Sequence, residues 1–141
     1  MQSIRWDEIE VGQQLEPLIQ TAIEKVQLVK YAGASGDFNP IHTDDETARK
    51  VGLPGVIAHG MLSMGFLAEH AAGIVGTHGF VSRLKVRFAG MVFPGDVLTC
   101  HAKVVAKDEK ERTVGLEVRI EREEGKALTV GEASLTYYQT A

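Results

Sequence analysis

The chain has little cysteine, few aromatic residues and no long apolar run. Its 141 residues include one cysteine, Cys100, which excludes an intramolecular disulfide and a cysteine-rich metal site. No stretch approaches the roughly 18 consecutive apolar residues of a membrane span. The N-terminal sequence MQSIRWDEIEVG carries acids early and lacks the apolar core of a signal peptide. We therefore expect a cytoplasmic protein that does not enter a membrane.

Positive charge is scattered along the chain. The formal net charge is −4, and the only basic row is Arg83, Lys85 and Arg87, which alternate and so lie on one face of a predicted strand. No large positive patch with interleaved aromatic residues is present, so we expect no nucleic-acid binding. The row is either a solvated strand face or a contact for phosphate groups.

The organisation indicates one domain over residues 1–141. The chain has no repeat, low-complexity segment or linker, and its 44% apolar and 24% charged residues are typical of globular proteins. The first half carries helical signals and a dense polar loop, whereas from about residue 81 the sequence reads as β-structure. This segregation predicts an α+β fold.

Three helices are predicted in the first half, near residues 22–33, 44–50 and 60–74. Thr21 with Glu24, and Thr43 with Glu46, each have the spacing of a capping box at a helix start. The third helix is apolar nearly all round, which is typical of a helix in the middle of a fold.

The second half alternates apolar and polar residues with period two, which predicts strands. Turns are predicted at 93–96, 107–112 and 123–126, and such short connections imply antiparallel neighbours. Alternation is lost near Gly131 and Glu132 in the last strand, which suggests a bulge. Cys100 falls on the apolar side of its strand and is expected to be an inert core residue. The simplest assembly wraps a strongly curved sheet around the apolar helix.

The segment 35–44, SGDFNPIHTD, concentrates polar side chains between two predicted helices. Pro40 restricts its own backbone and that of Asn39, so the loop is stiff. A stiff loop suits acid/base groups, which must sit within hydrogen-bond reach of a reacting atom. Asp37 and His42 are the candidates, although Asp37 and Asn39 could equally serve only to brace turns.

A metal site is a third interpretation of these residues, because His42, His59 and several carboxylates are available. However, the chain has no HxxxH or HxH spacing. We therefore expect no metal.

The sequence Ala58-His59-Gly60-Met61 lies where a loop enters the apolar helix. Amides at a helix start point outward and carry partial positive charge. A glycine there lets a ligand carbonyl approach, so Gly60 could contribute to an oxyanion hole, or could be only an N-cap. For His59 a hydrogen-bonded loop brace is favoured over a catalytic role.

The segment YAGASGDFNPIHTD, beginning at Tyr31, and the later His59-Gly60-Met61-Leu62 together resemble the hydratase motif of the MaoC-like (R)-specific enoyl-CoA hydratases. They look especially similar to the catalytic subunit of actinobacterial (3R)-hydroxyacyl-carrier-protein dehydratases. The turn Phe93-Pro94-Gly95-Asp96 also resembles a later turn of the family. Similarity is strong over about 31–63 and diffuse elsewhere.

The resemblance implies a hot-dog fold, in which an antiparallel sheet wraps a long central helix. It implies that Asp37 and His42 are the catalytic pair, that the Gly60 amide binds the thioester carbonyl, and that Asn39 supports the pair. The implied reaction is the reversible hydration of trans-2-enoyl thioesters to (3R)-3-hydroxyacyl thioesters. No metal or redox cofactor is implied, because coenzyme A or acyl carrier protein enters as part of the substrate.

The resemblance also implies a partner. Hot-dog subunits pair side by side, so we expect a homodimer or a heterodimer with a second hot-dog subunit. The basic row on the strand could then contact the phosphates of coenzyme A.

Small residues on the central helix could leave room for an acyl chain. They are Gly65, Ala68, Ala71 and Ala72. The alternative is that they only allow close packing of the helix against the sheet. Some short-chain members of the family carry a polar residue at the position of Ala68, so the resemblance does not indicate substrate length.

Two other functions stay open. A hot-dog thioesterase would direct a carboxylate and water at the carbonyl carbon, which the Asp-x-Asn-x-x-His pattern disfavours. A non-catalytic acyl-binding subunit of a heterodimer would be expected to lack Asp37 or His42, whereas this chain has both.

Overall fold

A computed structural model describes residues 2–123 and 125–139. The regular elements, in chain order, are β1 (Leu18–Ile19), α1 (Lys25–Ser35), α2 (Asp45–Lys50), α3 (Gly60–Val75), β2 (Gly79–Phe88), β3 (Thr99–Asp108), β4 (Thr113–Glu123) and β5 (Lys126–Tyr137). Short 3-10 helices occupy Trp6–Glu8, Pro40–His42 and Gly76–His78. The three predicted helices and the β-rich second half are confirmed, with helix bounds that differ by up to three residues.

The five strands form one antiparallel sheet in the order β1-β3-β4-β5-β2. The sheet curls around α3, and the core lies between them because the inward-facing side chains of the strands are apolar. Fully buried residues from both layers include Leu67, Ile74, Leu116, Ile120 and Leu135. This is the α+β hot-dog fold expected from the sequence.

The central helix α3 is buried on the side that faces the sheet. Its opposite side is exposed and includes Met61, Gly65 and Ala72. Met61 has 57% of its surface exposed although it is apolar. The prediction of a central helix is therefore correct, but its apolar circumference is not fully covered within one chain.

The first predicted capping box is wrong. Helix α1 begins at Lys25, and its N-cap residue Glu24 makes no side-chain capping bond. The backbone of Ile23 instead bonds to the turn before β3, since its amide donates to the Asp96 carbonyl at 2.9 Å and its carbonyl accepts from the Gly95 amide at 2.7 Å. These long-range hydrogen bonds hold the chain extended through Ile23, which delays the helix.

The second predicted box is also wrong in its residues. The carboxylate of Asp44, not Thr43, caps α2 by accepting from the Glu46 amide at 3.3 Å. Thr43 instead ends the preceding 3-10 helix, where its amide donates to the Pro40 carbonyl.

The bulge predicted at Gly131 and Glu132 is wrong, because the pairing of β5 with both neighbours is continuous there. The alternation is lost because position 131 has no side chain. A Cβ at Gly131 would collide with the Lys85 carbonyl oxygen of the neighbouring strand, so glycine is required there. Register shifts lie elsewhere, between Val81 and Arg83, between Val104 and Ala106, and around Glu121.

The predicted turns fall between strands. The turn at 93–96 is confirmed, and the one at 107–112 starts later because β3 continues to Asp108. In the turn at 123–126, Glu124 lies outside the described residues. The side chain of Cys100 is fully buried, and this burial raises the pKa of its thiol to about 12, in agreement with an inert core residue. Of the helices in residues 2–123 and 125–139, none combines the length and apolarity that a bilayer span demands.

Candidate active site

The structure brings Asp37 and His42 together beside the N-terminal end of α3. The Nδ1 of His42 lies 2.7 Å from the carbonyl oxygen of Ile57. Because a carbonyl only accepts, Nδ1 carries the proton and donates it, and in the neutral imidazole the lone pair is then on Nε2. This Nε2 lies 3.8 Å from Oδ2 of Asp37. The His42 side chain is 9% exposed and that of Asp37 is 53% exposed, so the pair joins a buried imidazole to a solvent-facing carboxylate.

A series of side-chain to backbone hydrogen bonds shapes the loop. Oγ of Ser35 accepts from the Asp37 amide, Oδ1 of Asp37 accepts from the Asn39 amide, and Oδ1 of Asn39 accepts from the Ile41 amide, each at 3.2 Å. Asn39 thereby caps the 3-10 helix that carries His42. Asp37 and Asn39 therefore do brace turns, and the same contacts place His42. A catalytic role for Asp37 beside this bracing stays a prediction.

His59 contacts both members of the pair. Its ring stacks on that of His42, and its Nε2 donates to the Asp37 carbonyl oxygen at 3.1 Å. The ring of Tyr31 meets it edge-on with centroids 4.8 Å apart. His59 is 2% exposed, and within the described residues its Nδ1 is buried without a hydrogen-bond partner. The predicted bracing role fits these contacts.

Gly60 is the first residue of α3, and His59, not Gly60, is the N-cap. As the first helical residue, Gly60 has an amide without an acceptor inside the helix. A Cβ at this position would lie 3.1 Å from the ring of Phe88. A side chain here would therefore crowd the Phe88 ring. Binding of a ligand carbonyl by the Gly60 amide stays a prediction.

A cavity of about 510 Å³ opens beside these groups. Its lining includes three residues of the sequence hypothesis, Asp37, His59 and Gly60. Four further residues contribute and were not predicted: Tyr31, Ser35, Met61 and Phe88. Tyr31 and Ser35 lie one helical turn apart at the end of α1, and Ser35 is also the first residue of the 35–44 segment, so helical spacing could have identified them. Phe88 comes from β2, and no local signal connects it to the loop.

The predicted acyl-pocket residues lie elsewhere on α3. Gly65 is exposed, Ala68 is half-buried and Ala71 is 1% exposed within the core. None of the three lines the cavity beside Asp37. Their proposed contact with an acyl chain stays a prediction.

Asp37, His42 and His59 each offer one potential metal ligand, and the three atoms lie within 4.8 Å of one another. The two imidazole planes are nearly parallel, at 22°, with centroids 3.8 Å apart. Nitrogen lone pairs lie in the plane of each ring, so stacked rings cannot both direct a lone pair at one ion. This geometry disfavours a tetrahedral zinc site, and the expectation of no metal stays a prediction.

The family follows from comparison with known proteins. The model of the MaoC-like domain matches residues 8–126, which include every residue of the site. The chain belongs to the MaoC-like domain family. The resemblance read from the loop motif is thereby confirmed.

Solved structures of similar proteins share the fold of this MaoC-like domain over nearly its whole length. An R-hydratase from Pseudomonas aeruginosa has 29% identity and a TM-score of 0.88, with 98% of this chain and 88% of that chain covered. An (R)-hydratase from A. caviae involved in PHA biosynthesis has 27% identity and a TM-score of 0.84, with 92% and 98% covered.

Among curated proteins, the fatty acid synthase beta subunit TOXC of Cochliobolus carbonum is 34% identical to this MaoC-like domain over 112 residues. The match covers 78% of this chain and 5% of that protein. A peroxisomal hydratase-dehydrogenase-epimerase of Saccharomyces cerevisiae is 43% identical over 68 residues, with 48% and 7% covered. The chain thus spans a small part of these much longer relatives.

Proposed function

We propose that this MaoC-like domain catalyses the reversible hydration of trans-2-enoyl thioesters to (3R)-3-hydroxyacyl thioesters. The acyl group is carried by coenzyme A or by acyl carrier protein. The observation that carries the proposal is the pair of acceptors formed by Nε2 of His42 and Oδ2 of Asp37, 3.8 Å apart. The family and its (R)-hydratase structural neighbours support the same reaction.

The separation within the pair suits a shared water. At 3.8 Å the two atoms are too far apart for a direct hydrogen bond, and a water oxygen about 2.8 Å from each would bridge them. In the hydration direction, this oxygen attacks C3 of the enoyl thioester while one of the two acceptors takes a water proton. The pair then delivers a proton to C2 on the same face, so that OH and H are added overall. Dehydration follows the same path in reverse.

Negative charge develops on the thioester oxygen as C3 is attacked. The Gly60 amide at the start of α3 would donate to this oxygen, assisted by the partial positive charge of the helix N-terminus. A donor of this kind lowers a barrier by roughly 3–4 kcal/mol. The pair and the amide complete the acid/base and charge-stabilising requirements with side chains and backbone alone, so the proposal includes no cofactor.

We further propose that the domain works as a homodimer or with a second hot-dog subunit. Strand β2 is an edge of the sheet and pairs only with β5 within the described residues. The exposed apolar Met61 on α3 and Phe88 on β2 lie beside the cavity. An open strand edge next to exposed apolar side chains favours pairing. Light scattering would test this, and a monomer with full activity at nanomolar concentration would contradict it.

The activity is tested with purified protein, crotonyl-CoA and a longer enoyl-CoA. Hydration removes the conjugated double bond, so absorbance of the enoyl thioester should fall without release of thiol. Thiol release at the same rate would instead identify a thioesterase. No change with either substrate, for a folded chain, would favour the non-catalytic subunit.

A further inference from the structure

Asp45 lies at the start of α2, and its carboxylate reaches two other segments. Its Oδ1 accepts from the Val56 amide at 2.9 Å, and its Oδ2 accepts from Nζ of Lys25 at 3.0 Å. Both bonds favour the ionised form. The Val56 amide and then the Lys25 ammonium lower the pKa of Asp45 below its ordinary value. One carboxylate thus joins the starts of α1 and α2 to the loop that precedes α3.

Ile57, the residue after Val56, orients the imidazole of His42 by a hydrogen bond. The amide of Ile57 donates to the Ile41 carbonyl at 3.1 Å, and the carbonyl of Ile57 accepts from Nδ1 of His42 at 2.7 Å. Val56 itself is 2% exposed, so its amide could not exchange the Asp45 carboxylate for water without local opening. The carboxylate therefore acts one residue away from the acceptor that orients His42.

The approach of the loop to Asp45 is close. A Cβ at Gly55 would lie 3.1 Å from Oδ1 of Asp45, a distance at which the carboxylate would have to shift slightly. Glycine at this position lets the 54–57 segment come near enough for the Val56 bond.

Asp45 is not required to cap its own helix. Asp44 has that role, since it accepts from the Glu46 amide at 3.3 Å and from the Thr47 hydroxyl at 2.6 Å. Neighbouring aspartates on the same turn thus have different partners. Asp44 stabilises α2, and Asp45 binds the 54–57 segment.

We infer that Asp45 is a positioning residue for His42, which acts by fixing the Val56-Ile57 segment and hence the imidazole tautomer. In the tautomer described above, Nε2 is unprotonated and can accept a proton from water. Without the carboxylate, the Ile57 carbonyl is free to shift, and a fraction of His42 takes the opposite tautomer, in which Nε2 is a donor. That fraction cannot act as a base. The consequence for turnover depends on the proposed hydratase function, whereas the consequence for the tautomer does not.

The experiment compares four variants of the full chain with the wild type. Asp45→Ala removes the acceptor, and Asp45→Asn keeps an oxygen for the Val56 amide but loses the charge. Lys25→Met removes only the ion pair. Asp44→Ala is the matched control, because it removes a carboxylate from the same turn that makes no bond to the Val56-Ile57 segment. Tautomers are read from histidine nitrogen shifts in long-range ¹H–¹⁵N spectra, with the His42 signals assigned from a His42→Ala sample.

Wild type, Asp45→Asn, Lys25→Met and Asp44→Ala should all keep the Nδ1-protonated form of His42, although Asp44→Ala should melt at a lower temperature. Asp45→Ala should show a mixture of tautomers. With an enoyl-CoA substrate its kcat should fall by about tenfold or more, with little change in KM, as expected for a misplaced catalytic group. Wild-type spectra and turnover in Asp45→Ala would overturn the inference. So would equal tautomer changes in Asp44→Ala.

Should Asp45→Ala fail to fold, Gly55→Ala provides a second perturbation, because it crowds Oδ1 without removing it. A shifted His42 tautomer in Gly55→Ala supports the inference, and an unchanged one contradicts it. A tautomer change in an otherwise inactive protein would leave the inference standing while removing the proposed function.

Discussion

The imidazole rings of His42 and His59 stack face to face, with centroids 3.8 Å apart and planes inclined by 22°. The same His59 donates from Nε2 to the backbone carbonyl of Asp37. One buried side chain therefore supports the ring of one member of the pair and the backbone of the other. Because His59 directly precedes Gly60, it also connects the pair to the start of α3.

This double contact predicts a graded loss of activity. His59→Phe keeps an aromatic face for His42 but removes the bond to Asp37, whereas His59→Ala removes both. We expect kcat to fall in that order, with the alanine variant at least about tenfold below wild type because both members of the pair lose a support. His78→Ala, beyond the opposite end of α3, serves as the control. An alanine variant with wild-type kcat would exclude a supporting role.

The acid/base role proposed for Asp37 and His42 predicts a larger loss of activity. Asp37→Asn and His42→Ala should each lower kcat at least ~100-fold, because each removes a proton acceptor for the attacking water. Circular dichroism should show an unchanged fold, and Asp7→Asn, an exposed aspartate in the N-terminal segment, should keep full activity. Near wild-type turnover in either folded variant would contradict the proposed mechanism.

Gly60 packs against Phe88 and is proposed to bind the thioester carbonyl, and a double variant distinguishes these two roles. Gly60→Ala places a methyl group 3.1 Å from the Phe88 ring, so it should lower both stability and kcat. Adding Phe88→Ala makes room for that methyl group and should relieve part of the clash. The methyl group would still obstruct a carbonyl that approaches the Gly60 amide, so kcat should stay low. The measurements are thermal unfolding and initial rates, with Phe88→Ala alone as the reference. Recovery of activity in the double variant would mean that Gly60 serves packing only.

Two alanines of α3 test which length of substrate acyl chain the domain prefers. If the half-buried Ala68 borders the acyl chain, enoyl thioesters of about eight or more carbons should be preferred over crotonyl-CoA, since each buried methylene contributes roughly 0.8 kcal/mol. Ala68→Leu should then reduce turnover of the long substrate and spare the short one. Ala71 is 1% exposed, so Ala71→Leu should destabilise the core and reduce turnover of both substrates. Equal losses on both substrates in Ala68→Leu would assign that residue to packing.

His70 predicts a pH dependence of stability. It lies buried in α3 and donates from Nε2 to the Glu16 carbonyl at 2.8 Å. Burial lowers the pKa of His70 below its ordinary value of 6.5, although the bond to Glu16 opposes the shift. At pH values well above 6.5, His70 is neutral in both the folded and the unfolded chain. As pH falls below 6.5, the unfolded chain gains a proton that the folded chain resists, so the free energy of unfolding decreases by up to ~1.4 kcal/mol per pH unit.

Urea unfolding at about pH 5.5 and about pH 7.5, on either side of the unperturbed histidine pKa, measures this effect. His70→Gln removes the titration and keeps a donor for Glu16, so its stability should differ less between the two conditions. The same difference in the variant as in wild type would show that other groups account for it.

Much of the fold was predictable because its causes are local. The apolar circumference of α3 and the alternation of apolar and polar residues in β2, β3 and β4 follow from the sequence. The helix and these strands form where those patterns place them. The start of α1 was not predictable. The backbone of Ile23 is hydrogen-bonded to Gly95 and Asp96, and such pairing overrides a local capping signal because it satisfies the same amide and carbonyl groups.

The sequence by itself determined the family and the short loop from Asp37 to His42, since a proline and side-chain to backbone bonds within a few residues set that conformation. Only the tertiary structure decided which nitrogen of His42 carries the proton, because the acceptor is the Ile57 carbonyl. It also decided that the Phe88 ring packs against Gly60, because the end of β2 and the start of α3 meet there. A residue's neighbours along the chain limit its backbone, whereas its hydrogen-bond and packing partners depend on how distant segments meet.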